Sequence, residues 1–164
     1  VNFKITKLES LSGSKASIYT ILPEGRTTSL FHDFLIKNSV TNEKEVQDIL
    51  GRIKLMADKE GAREGYFKLN EGKIGDSVCA LYDRPGSKVR LYCIRMGNTA
   101  IILGDGGPKS KSIRSWQQDP ALSKSVNELI EIHEMIYERI LNKEIRWAPN
   151  YKDLIGDLDF NENE

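Results

Sequence analysis

At 164 residues, with 39% hydrophobic and 29% charged side chains, the chain is long enough for one domain with a real core and has the composition of an ordinary globular protein. Its 24 Lys and Arg balance its 24 Asp and Glu, so only an uneven distribution of charge can draw an anionic partner. No apolar run approaches the roughly 20 residues of a membrane helix, and the start lacks the apolar core of a signal peptide, so the expected location is the cytoplasm. Two histidines and two cysteines without ligand-like spacing argue against a zinc site.

From the start, 3–8 and 16–22 alternate weakly around Leu11-Ser12-Gly13-Ser14-Lys15, which predicts a hairpin or two successive strands. Pro23-Glu24-Gly25 breaks the pattern. Thr27, Thr28 or Ser29 can cap a helix near 28–38 that carries Leu30, Phe31, Phe34 and Leu35 at helical spacing. His32 reads as a surface histidine. Asn42 and Glu45 have the spacing of a capping box. Val46, Ile49, Leu50, Ile53 and Met56 then share one face of a second helix over 42–60, which Gly61 ends. Two such helices before a sheet predict a helical hairpin on one sheet face.

The stretch 67–116 holds nine Lys or Arg (68, 73, 84, 88, 90, 95, 109, 111, 114) against four acids, a local +5 in a chain of zero net charge. Within it, 78–82, 89–94 and 99–103 have strand length and strand residue types. Asp83-Arg84-Pro85-Gly86-Ser87 and Met96-Gly97-Asn98 have turn chemistry, and connections this short make the strands an antiparallel meander. Val89, Leu91 and Cys93 suit the face under the helices, which leaves Arg90, Tyr92 and Ile94 on the other. Cys79 and Cys93 fall on paired strands and read as buried free thiols.

Gly104-Asp105-Gly106-Gly107-Pro108-Lys109 reads as a loop leaving a strand end. It matches neither the P-loop nor the dinucleotide fingerprint. A short helical turn over 110–118 would carry Lys111, Arg114 and Trp116. Asp119-Pro120 forms an N-cap and N1 pair for a last helix bearing Leu122, Val126, Leu129, Ile130, His133, Ile136, Ile140 and Leu141. His133, on the apolar stripe, reads as a packed histidine. From Asp153 onward there are five acids and no base, read as an acidic tail over 153–164. Such a tail is either solvated and disordered or folded back through Leu158 and Phe160 to screen the basic groove.

Several short motifs stand in a specific order. Lys68-Leu69-Asn70-Glu71-Gly72 precedes the first meander strand and Val89-Arg90-Leu91-Tyr92 opens the second. Ile101-Ile102-Leu103 runs into Lys109-Ser110-Lys111, and Pro120 opens the last helix. With the element order strand, helix, helix, three antiparallel strands, helix, these motifs resemble the RelE/HigB/ParE toxin superfamily over about residues 16–142, especially its HigB-like and phage-derived Gp49-like branches. The sequence departs from that pattern in three places. Ala80-Leu81-Tyr82 stands where members usually carry Glu-Leu-Arg, Gly104-Asp105-Gly106 replaces an aromatic, and Ser110 splits a basic pair.

The resemblance implies an α+β, RelE-like fold, an antiparallel meander sheet with an N-terminal helical hairpin and a C-terminal helix, as a single domain over 1–152. It also implies the toxin of a type II toxin–antitoxin system: an mRNA interferase, a ribosome-associated endoribonuclease that uses no metal and no cofactor. Its partners would be a cognate antitoxin, mRNA and the ribosome, with no membrane. In such cleavage the 2′-OH attacks the neighbouring phosphate, and basic side chains take its proton, steady the phosphorane and protonate the leaving 5′-oxygen. Arg supplies charge and bidentate geometry. Arg90, Lys109 and Lys111 are therefore the expected catalytic residues. Lys68 and Arg114 are expected phosphate ligands, and Tyr92 and Trp116 expected base-stacking residues. Two alternatives use the same fold: a non-catalytic binding protein for RNA or a protein partner, favoured by the missing Arg, and a gyrase-targeting ParE-like toxin.

Overall fold

The structure, a computed structural model, describes residues 1–69, 77–81, 86–108 and 119–161. It is an α+β fold with a mostly antiparallel six-stranded sheet. The strands are β1 (Phe3–Lys7), β2 (Ser17–Pro23), β3 (Phe67–Lys68), β4 (Val78–Leu81), β5 (Val89–Met96) and β6 (Ala100–Pro108), in the order β1-β2-β6-β5-β4-β3. Neighbours are antiparallel except at the β2–β6 seam, where Ser17 pairs with Ala100 and Thr20 with Leu103 in parallel. The expected N-terminal hairpin and the antiparallel meander of β4, β5 and β6 are both present.

Helices cover both faces of the sheet, so its central strands read as nearly continuous apolar runs. On one face lie α1 (Leu30–Asn38) and α2 (Glu43–Leu55), with Phe31, Phe34, Ile49 and Ile53 against Ile18, Leu91, Cys93, Ile101 and Leu103. On the other lies α3 (Pro120–Leu141), whose stripe Leu122, Val126, Leu129, Ile132 and Ile136 packs with Tyr19, Val78, Ala80, Tyr92, Ile94 and Ile102. Among the described residues no helix is long and apolar enough to cross a membrane.

Local signals account for most helix ends. The Ser29 hydroxyl accepts from His32 N at 3.1 Å, and Asp119 accepts from Ala121 N and Leu122 N ahead of Pro120. The expected capping box of α2 does not form. The Asn42 amide donates to Thr41 Oγ1, and Glu45 is drawn away to accept from Lys88 N across the fold. A π-helical turn, Met56–Glu60, follows α2 and closes at Gly61 with φ 79°. The Ala57 carbonyl in that turn accepts from Lys15 N and Ala16 N, tying the turn to the start of β2.

Two expectations are corrected. Residues 104–108 are not a loop but the second half of β6. The register shifts between Leu91 and Cys93, where β6 carries an extra residue as a bulge. Gly106 permits it, because a Cβ there would overlap the Arg90 carbonyl oxygen. Asp105 accepts from Gly106 N at 2.7 Å and closes the bulge. Residues 153–161, in turn, are part of the domain rather than a tail. After β7 (Ile145–Trp147), β8 (Leu154–Gly156) pairs back on it. Phe160 is then buried on Phe3, rings stacked at 4.4 Å, with the Arg139 guanidinium 3.6 Å above the Phe160 ring. The helical turn expected over 110–118 lies outside the described residues.

Candidate nucleic-acid interface

Alternation along β5 places Arg90 as expected. Val89, Leu91 and Cys93 belong to the layer under α1 and α2, so Arg90, Tyr92 and Ile94 face the opposite way. Directly opposed residues of antiparallel strands share a face. Lys68 opposes Ala80 and Ala80 opposes Tyr92, so these three form one row across β3, β4 and β5. Arg90 stands one pleat further along the same face, opposite Gly107. Among the described residues nothing lies within 4 Å of where a Cβ at Gly107 would stand, yet Gly107, like Arg90, is buried.

The other expected residues divide. Lys68 is exposed on the edge strand. Tyr92 is fully buried beneath α3. No face of its ring is open for a base, so the stacking role expected for it is replaced by core packing; sequence alternation located its face but not the helix that covers it. Arg90 is itself only 7% exposed. Lys109, Lys111, Arg114 and Trp116 lie outside the described residues.

Charges near this end of the sheet are partly compensated. Asp105, in the bulge, accepts from Lys37 Nζ at 2.7 Å, which offsets the one acid of β6. On the α2 side, a groove of about 210 Å³ beside the start of β5 is lined by Lys44, Glu45, Asp48, Arg52 and Ser87. Its signs are mixed, so it offers an anion little. Arg95, at the far end of β5, is committed to structure: its Nε donates to the Ala62 carbonyl at 2.8 Å and its guanidinium also meets Asn98. Cys79 and Cys93 are direct cross-strand partners with Sγ atoms 3.7 Å apart, both free thiols as expected. The Cys79 thiol and burial together push the Cys93 thiol well up, which keeps it inert at neutral pH. Among the described residues no group of three or more His, Cys, Asp or Glu is placed to hold a metal.

Two solvent-facing aromatics escaped the sequence reading. Tyr137 and Trp147 border a cavity at the opposite end of the sheet from Arg90. The signal for Tyr137 was its position off the apolar stripe of α3, where a large ring has no packing reason to sit.

Compared with protein-family models, with curated proteins and with solved structures, the chain finds no match in any of the three.

Proposed function

We propose that the protein is a RelE/HigB-like toxin of a type II toxin–antitoxin pair, a cytoplasmic endoribonuclease that binds mRNA at the ribosome. The observation that carries this reading is the register of Arg90 opposite Gly107. A charged guanidinium lies largely buried on the sheet face away from α1 and α2, at the strand end that leads in sequence to Lys109, Lys111 and Arg114. That composition suits a phosphorane, whose developing charge needs fixed cationic donors in a partly dry site. The antiparallel meander with a helical hairpin on one face supports the same reading. Arg90 would stabilise the transition state; the lysines would move protons. An antitoxin is the partner that such a toxin requires.

A second reading is favoured by one specific observation. Arg90 is largely covered and Tyr92 wholly so, as suits a RelE-fold protein that binds RNA or a protein partner without cutting. Expression with mapping of RNA 5′ ends separates the two. The toxin reading expects growth arrest with new ends in mRNA. It expects Arg90→Ala to reduce cutting about 100-fold or more while circular dichroism shows an intact fold. Arrest without new ends supports the binding reading, and cutting by Arg90→Ala at the wild-type rate removes Arg90 from the mechanism.

A further inference from the structure

A cavity of about 270 Å³ opens between the β5–β6 turn, the C-terminal half of α3 and β7. Met96 and Ile136 give it apolar walls, while His133, Tyr137 and Trp147 bring three aromatic rings to it. The His133 and Tyr137 rings stack, with centroids 6.1 Å apart and planes 19° apart. Tyr137 is 53% and Trp147 39% exposed. Large rings left open to water around a hollow mark a binding site more than a fold requirement.

A fourth ring stands nearby. Tyr151, at the tip of the β7–β8 hairpin, has φ 59°, a conformation that bulky residues rarely adopt. It is held there by its own N–H, donated to the Ala148 carbonyl, and by Thr99 Oγ1, which donates to its carbonyl at 2.7 Å. The backbone outlier thus leaves an exposed ring tied to the same β5–β6 turn that lines the cavity.

We propose that this end of the molecule is a stacking site for an unpaired base of single-stranded RNA, with Tyr137 and Trp147 as its platforms. The inference rests on the RNA-binding reading above and adds a second contact region to it. Flat rings around a hollow this small suit a planar heterocycle better than an aliphatic chain. Exposed Arg146, next to Trp147 in β7, favours the strand that carries such a base over an apolar peptide. Arg90 and Met96 stand at opposite ends of β5, so this site lies about 20 Å along the sheet from Arg90. It therefore positions RNA and takes no part in bond cleavage.

The test is fluorescence anisotropy with a short fluorescein-labelled single-stranded RNA and the same oligonucleotide made abasic. The intact protein is compared with Trp147→Ala, Tyr137→Ala and Trp147→Phe. Each alanine variant should weaken binding about 5- to 100-fold. The phenylalanine variant, which keeps a ring and guards against a folding artefact, should retain most of the affinity. The abasic strand should bind the wild type as weakly as the RNA binds Trp147→Ala, and the salt dependence should not change, because stacking releases no counterions. Wild-type affinity in both alanine variants overturns the site, as does equal binding of the abasic strand. If that result accompanies mRNA cutting on expression, the stacking site falls and the toxin reading stands. If the wild type neither binds RNA nor cuts it, both fall. Binding of an aromatic peptide but not RNA, lost in Trp147→Ala, also overturns the proposal, in favour of a protein-docking surface.

Discussion

At Gly106 a β-carbon would overlap the Arg90 carbonyl, whereas at Gly107 it would meet none of the described residues within 4 Å. Adjacent glycines of one strand therefore respond differently. Gly106→Ala should destabilise the fold by about 1–3 kcal/mol through forced backbone movement. Gly107→Ala should cost less than Gly106→Ala, because no described backbone atom stands where its Cβ would go. Urea midpoints of the two variants decide it, and equal midpoints would mean that the bulge is not set by Gly106. Asp153 supplies a pH dependence. Ser17 Oγ donates to it at 2.6 Å, Lys7 Nζ lies 2.9 Å away and the Asn150 amide donates at 2.7 Å. These bonds, that of Ser17 first, hold its carboxyl well below the usual carboxylate range. The folded value is thus below the unfolded value of about 3.9. The resulting stability is fully present above that value and is lost as pH falls through the folded one. Asp153→Asn should cost about 1–2 kcal/mol at neutral pH and flatten the loss of stability in acid. An acid-unfolding curve that keeps the wild-type steepness would remove Asp153 from that role.

Elements whose signals are local were legible in the sequence. Asp119-Pro120 starts α3, Ser29 starts α1, and alternation along β5 sorted Arg90 from Leu91. What was not legible depends on partners far away in sequence. Glu45 had the spacing to cap α2, but its carboxylate serves Lys88 N, 43 residues on. The acidic composition after Asp153 suggested a solvated segment, because nothing local shows that Phe3 and Arg139 wait for Phe160. The alternative, docking through Leu158 and Phe160, was placed against the basic groove; Phe160 docks instead on β1, the strand at the opposite edge from β3. For the same reason the end segment acts as core rather than as a screen. Phe160→Ala should cost roughly 3–5 kcal/mol, or roughly 6–20 °C in Tm. A thermal scan showing less than a degree of change would mean that the stack contributes nothing.

At the scale of the whole molecule, the excess charge of 67–116 and the covering of both sheet faces pull the functional reading in different directions. The first invites RNA, while the second leaves only the strand ends and their connections for it to touch. If Lys68, Arg90, Lys109, Lys111 and Arg114 each meet a phosphate, log affinity for single-stranded RNA should fall against log salt with a slope of about −3 to −4. A slope near zero would exclude the groove as the electrostatic contact. The parallel seam between β2 and β6 has a different consequence, in the order of events as the chain is made. Thr20 donates to the Leu103 carbonyl across a sequence separation of 83 residues. Until β6 leaves the ribosome, the apolar strand Ser17–Pro23 has one edge with no partner, and the hairpin that contains it cannot stand alone. Closing a loop of that length before any seam contact forms slows folding towards the millisecond-to-second regime of non-local topologies. Synthesis of β6 is thus the event that commits the domain: it pairs β2 on one side and β5 on the other, and only then do the two halves of the sheet become one.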